Sequence, residues 1–110
     1  QVGYAIGVAQ PMGIFINTFG TSKINFSDNE IAQKISKIFD MRPYYIEKRL
    51  KLRDPIYLET ASYGHMGKEP KIVTKKFTDK NGITVEKNVE LFTWEKLDYV
   101  DKLKEHFNIK

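Results

Sequence analysis

The sequence predicts an α+β domain, and three observations carry that prediction. The first 22 residues contain no charged side chain and hold two runs rich in Ile, Val, Tyr and Phe. A Ser-Asp-Asn-Glu stretch at Ser27–Glu30 leads into apolar residues at helical spacing. Clean alternation flanks Asp79-Lys80-Asn81-Gly82 further on. The chain has 110 residues, 41% of them hydrophobic, with a net charge of +4 and no cysteine. A chain of that length buries about two thirds of the surface its unfolded state exposes, enough for one modest core. The lack of cysteine excludes a disulfide framework and thiolate metal sites and points to a reducing, cytoplasmic setting. No basic region leads into an apolar one at the amino end, so no signal peptide is expected. Val2–Ala9 is also far shorter than the ~20 apolar residues of a membrane span, so a soluble protein is expected.

Val2–Ala9 and Met12–Phe19 read as short strands, separated by Gln10, Pro11 and Gly13. Pro11 cannot donate to a central ladder and marks a bend or strand end. Charge-free strands imply cover on both faces, part of it from outside this chain. Ser27 and Glu30 form the S-x-x-E capping box of a helix whose Ile31, Ile35, Ile38 and Phe39 share one face, expected to pack on the sheet. Pro43 fits the first turn of a second, basic helix reaching Leu50. From Leu52 to Gly67 turn residues prevail, giving an ordered loop with one helical turn. Lys71–Thr78 and Ile83–Phe92 form a β-hairpin with one wet face. Val100, Leu103 and Phe107 place a terminal helix over residues 98–107.

Motifs for independent chemistry are sparse. His65 and His106 have no partner at metal-ligand spacing. There is no nucleophile elbow and no glycine-rich phosphate loop; Gly3 and Gly7 alone are too weak a signal. His106 reads as surface, and His65 as a histidine bonding the backbone of its own loop. Arg42, Lys48, Arg49, Lys51 and Arg53 form a basic cluster near Tyr44, Tyr45 and Tyr57, which suggests a small non-catalytic phosphate- or nucleic-acid-binding module. Glu47 and Asp54 lie among them, and a solvated, ion-paired helix face is the preferred reading.

Six ordered strings alter the picture: Y-A-I-G-V-A-Q-P (4–11), N-T-F-G-T-S-K (17–23), F-D-M-R-P (39–43), L-K-L-R-D-P-I-Y (50–57), T-A-S-Y-G-H-M-G (60–67) and F-T-W-E-K-L-D (92–98). Together they resemble the carboxy-terminal region of the S-adenosylmethionine synthetase, or methionine adenosyltransferase, family. Gln10, Ser62 and Met66 stand where that family usually has Glu, Ala and Phe. The hairpin, at about 69–92, looks like an insertion into a segment that is otherwise very short.

The resemblance implies a single carboxy-terminal domain over residues 1–110. Its fold would be a two-layer α/β sandwich, with a mostly antiparallel sheet covered by helices on one face and the inserted hairpin in addition. It implies an enzyme that joins ATP and L-methionine into S-adenosylmethionine and releases phosphate and diphosphate, using Mg2+ and K+ held by segments outside this sequence. Alone, the piece is expected to be inactive, with no catalytic or metal-binding residue of its own. The parent is expected to be a homodimer or homotetramer, with no nucleic-acid or membrane partner. One site residue carries over: Ile6, in the Y-A-I-G motif, is implied to border the adenosine pocket. Arg42, Arg53 and His65 are read as structural.

Overall fold

The computed structural model describes residues 1–109. The chain divides into two compact units, one of residues 1–46 with 98 onward, the other of residues 47–97.

In the first unit, β1 (Val2–Gly3) pairs antiparallel with β2 (Gly13–Ile14), placing Val2 opposite Ile14 and Gly3 opposite Gly13. The ladder is extended by Met12 N–H to the Gly3 carbonyl and Phe15 N–H to the Gln1 carbonyl, both 2.8 Å. The pairing direction matches the sequence reading, but the paired stretches are far shorter than Val2–Ala9 and Met12–Phe19. The cause is local. The chain turns at Ala5–Val8, where Val8 N–H bonds the Ala5 carbonyl at 3.1 Å and Gly7 adopts a φ of 80°. An isolated two-stranded ribbon has little to hold it in register beyond such a turn.

Helix α1 (Asp28–Ile38) begins as the capping box requires. Ser27 Oγ accepts from Glu30 N–H, and the Glu30 carboxylate accepts from Ser27 N–H at 2.8 Å. That bonding holds the Glu30 carboxyl below its usual range. Upstream, Asp28 accepts from both Thr18 N–H (3.1 Å) and Thr18 Oγ1 (2.6 Å), which ties the Asn17–Gly20 loop to the helix start. The apolar face of α1 packs Ile31 and Ile38 with Phe107 of α3 (Val100–Phe107), and Ile16, Ile24, Phe26, Ile35, Phe39, Tyr99 and Leu103 surround them. The helix expected to lie on a sheet is thus met mainly by α3 and the loop after β2. Phe39 stacks on Tyr99 with centroids 4.5 Å apart.

Helix α2 (Pro43–Leu50) starts at its proline in the first unit and ends in the second. The second unit contains one 3-10 turn at Leu58–Thr60, the hairpin β3 (Lys71–Thr78) and β4 (Thr84–Leu91), and a second 3-10 turn at Thr93–Glu95. The hairpin register runs from Lys71 opposite Leu91 to Thr78 opposite Thr84. Its turn is closed by Asp79, whose Oδ1 accepts from the N–H groups of Asn81 and Ile83, both at 2.8 Å, while Gly82 supplies the left-handed position at φ 79°. The stem is the core: Val89 and Leu91 pack with Ile56 and Phe92, and Leu52, Val73 and Trp94 lie against them.

Lys75 sits directly across from Lys87. Like charges facing each other across a ladder are destabilising. Here Glu59 takes Lys75 at 2.9 Å and Asp54 takes Lys87 at 2.6 Å, so acids of the preceding loop neutralise the pair. On the other face Glu90 receives both Lys51, at 2.9 Å, and Lys96. Hydrogen bonds from Lys96 and Lys51 hold the Glu90 carboxyl below the ordinary value of 4.5, and Lys75 lowers Glu59 likewise. A carboxylate depressed in the folded state stabilises the fold above its unfolded pKa and loses that contribution as pH falls through the lower folded value. Acid titration of the second unit, followed by Trp94 fluorescence, should therefore show stability falling below pH 4.5. Glu90→Gln should flatten that acid limb, and an unchanged limb would remove Glu90 from the account.

The α+β class stands, and among the described residues all pairing is antiparallel, in two separate two-stranded sheets. No helix among the described residues is long and apolar enough to cross a membrane.

Candidate functional site

Ile6 occupies the outer corner of the Ala5–Val8 turn. A non-glycine residue there is followed by Gly7 in the left-handed region, the position that four-residue turns assign to glycine. The turn holds the Ile6 side chain away from the body, and it is fully exposed, at 106% of its reference area. A core role in this chain is thereby excluded. Tyr4, Val8, Met12, Phe15 and Phe19 are exposed as well. The charge-free segment therefore presents large apolar side chains outward instead of burying them. Large apolar groups displayed this way mark contact with a ligand or another surface.

The basic cluster is arranged differently. Arg42 reaches Asp40 through Nε (2.9 Å) and Nη2 (2.5 Å) and lies over the Tyr45 ring at 4.1 Å. The carboxylate raises the already high pKa of that guanidinium. Arg53 pairs with Glu47 at 2.5 Å, and Lys51 with Glu90. Tyr44 and Tyr45 meet edge to face, at 86°. Of the five cations, Arg42, Lys51 and Arg53 are engaged by acids and the tyrosine pair is turned edge-on, which gives a phosphate backbone less to hold, so the nucleic-acid reading is not favoured.

At His65 the structure shows a backbone contact: its carbonyl accepts from the Trp94 indole at 2.6 Å, and the two rings meet edge to face. Gly67 N–H donates to Glu95 at 2.7 Å. Thus T-A-S-Y-G-H-M-G and F-T-W-E-K-L-D meet in space at the base of the hairpin. His106 lies on the exposed last turn of α3, its Nδ1 3.0 Å from the Lys102 carbonyl oxygen. Among the described residues no group of three or more His, Asp or Glu side chains is placed to hold a metal ion, so the residues present do not fit a Mg2+ site of that kind. Sequence reasoning missed Tyr4, whose hydroxyl donates to the Met41 carbonyl 37 positions away.

By fold and site, the chain is a small α+β module displaying an ordered, exposed apolar turn. Residues 1–78 match the family model described as S-adenosylmethionine synthetase, C-terminal domain. The chain belongs to that family. It is similar to the S-adenosylmethionine synthase of Cytophaga hutchinsonii, 63% identical over 110 residues covering all of this chain and 26% of that protein. The corresponding proteins of Flavobacterium johnsoniae (63% over 109 residues) and Parabacteroides distasonis (64% over 112 residues) each match 99% of this chain along 26% of their own length. The chain thus spans about a quarter of these relatives. The family match stops at Thr78, the end of β3, whereas the match to these relatives continues through the hairpin.

Proposed function

We propose that this chain is the carboxy-terminal domain of a methionine adenosyltransferase, and that Ile6 borders the adenosine part of its nucleotide pocket. The observation that carries the reading is Ile6 itself, fully exposed on a fixed turn inside the Y-A-I-G motif. A branched aliphatic side chain held clear of the fold can pack on the face of a purine, and the glycine beside it keeps the backbone close. In the reaction the methionine sulfur lone pair attacks the ribose 5′ carbon; the carbon–sulfur bond forms as the bond to tripolyphosphate breaks, and water then cleaves tripolyphosphate to phosphate and diphosphate. Mg2+ and K+ would neutralise the leaving group, bound by parts of the enzyme beyond these residues. The parent is a homodimer or homotetramer of the cytoplasm, and its other segments and partner subunit cover the apolar side chains of residues 4–19. The hairpin is an insertion relative to the family pattern, shared with the relatives above.

The test uses the full-length protein. It should form S-adenosylmethionine from ATP and methionine with magnesium; no product would sink the proposal. Ile6→Asp sets an unpaired carboxylate against the base and should raise the KM for ATP by about tenfold or more, with the KM for methionine little changed. An unchanged KM for ATP would take Ile6 out of the pocket.

A further inference from the structure

Two motifs far apart in sequence meet in the first unit, and the contact between them bears on how Ile6 is held. The Tyr4 hydroxyl donates to the Met41 carbonyl oxygen, joining Y-A-I-G-V-A-Q-P to F-D-M-R-P. Both ends of the contact are fixed. On the Met41 side, Asp40 Oδ1 accepts from Arg42 N–H at 3.2 Å and from its guanidinium, which stacks over Tyr45, so residues 40–42 form a closed turn into α2. On the Tyr4 side, the preceding Gly3 carbonyl is held by Met12 N–H, and the following residues 5–8 are closed by the Val8–Ala5 bond. Tyr4 is only half-exposed, at 44%, and its hydroxyl could bond water at no cost to the fold. Bonding a carbonyl instead fixes the ring and, through it, the path of the backbone two residues before Ile6.

We propose that Tyr4 is a positioning residue: through the Met41 carbonyl it sets where the Ile6 turn stands, and so presents Ile6 to the nucleotide. This rests on the reading of Ile6 given above. It also gives F-D-M-R-P a role that its own side chains do not suggest, since the group used is a backbone carbonyl held in place by the Asp40–Arg42 pair. Turn geometry, not contact with substrate, is what Tyr4 supplies. A turn freed to move loses preorganisation for binding and leaves the chemical step alone.

The experiment measures steady-state kinetics of full-length enzyme carrying Tyr4→Phe, with Ile6→Asp in parallel. Removing one neutral hydrogen bond should raise the KM for ATP by about fivefold. Neither kcat nor the KM for methionine should move by more than about twofold, because the chemical step and the methionine site do not depend on this turn. A role limited to stability would instead lower the melting temperature with both KM values unchanged, and that result overturns the proposal. If Ile6→Asp raises the KM for ATP and Tyr4→Phe does not, the positioning role fails while the pocket role of Ile6 stands. If neither variant moves it, both fall. Should Tyr4→Phe fail to fold, Arg42→Gln, which removes the guanidinium bonds to Asp40 that hold the Met41 carbonyl in place and leaves Tyr4 and Ile6 as they are, carries the same expectation on KM and is read the same way.

Discussion

Ile56→Ala is expected to destabilise the unit of residues 47–97 by about 2–5 kcal/mol, the usual cost of truncating a buried aliphatic side chain and leaving part of its volume empty. Ile56 is completely buried, and it lies where the loop after α2 meets the hairpin stem, against Val89, Leu91 and Phe92. Few apolar residues share that core, so a cavity at its centre has little material to collapse into it. Small domains are stable by only about 5–15 kcal/mol, so the loss is a large share of the total. The chain has a single tryptophan, Trp94, which packs at the edge of this cluster. Its fluorescence therefore reports the second unit. The denaturation midpoint seen by Trp94 should fall sharply in Ile56→Ala and much less in Ile56→Val. A midpoint that does not move in Ile56→Ala would show that this cluster does not hold the unit together.

Phe107→Ala should cost the first unit about 3–5 kcal/mol, the range for removing a buried aromatic ring. Phe107 ends α3 and is inserted between Ile31 and Ile38 of α1, with its ring edge-on to Phe26 at 5.8 Å and 78°. Lys34 closes the arrangement: its ammonium sits 4.6 Å from the Phe26 ring and donates to the His106 carbonyl at 3.0 Å. Helix α3 has eight residues, and a helix of that length is marginal without packing. Losing the ring should therefore release α3, visible as lost helical circular dichroism and as early protease cleavage after Lys102 or Lys104. Phe107→Leu should retain most of the signal. Equal resistance to protease in Phe107→Ala and the parent chain would mean that α3 is held by something else.

What could be seen beforehand in the sequence was local. Ser27 and Glu30 are three residues apart and satisfy each other, and Ile31, Ile35 and Ile38 follow at once, so α1 is written into twelve consecutive positions. The hairpin is equally self-contained, its alternation and its Asp79–Gly82 turn needing no distant partner. The first strands misled because a charge-free run of Ile, Val and Tyr looks the same whether it pairs along its length or merely awaits cover. Gly7, which bends the chain, resembles any strand glycine until its φ is known. Ile6 was reachable only through resemblance, since nothing in its spacing separates an exposed corner from a buried strand. The Tyr4–Met41 bond and the Glu90 pair of lysines join residues up to 39 positions apart, and no short-range pattern encodes them.

The hairpin register has a practical reach. Because Lys71 stands across from Leu91, the two ends of the arm are ladder neighbours, roughly 5 Å apart at Cα. Residues can be added or removed in matched pairs beyond the Lys75–Lys87 rung while the ends keep their places. Everything outward of the two neutralised lysines, from Phe77 through Val85, is thus a natural port. A peptide epitope, a fluorophore-binding tag or a second domain can be grafted there while the Ile56 core is left as it is.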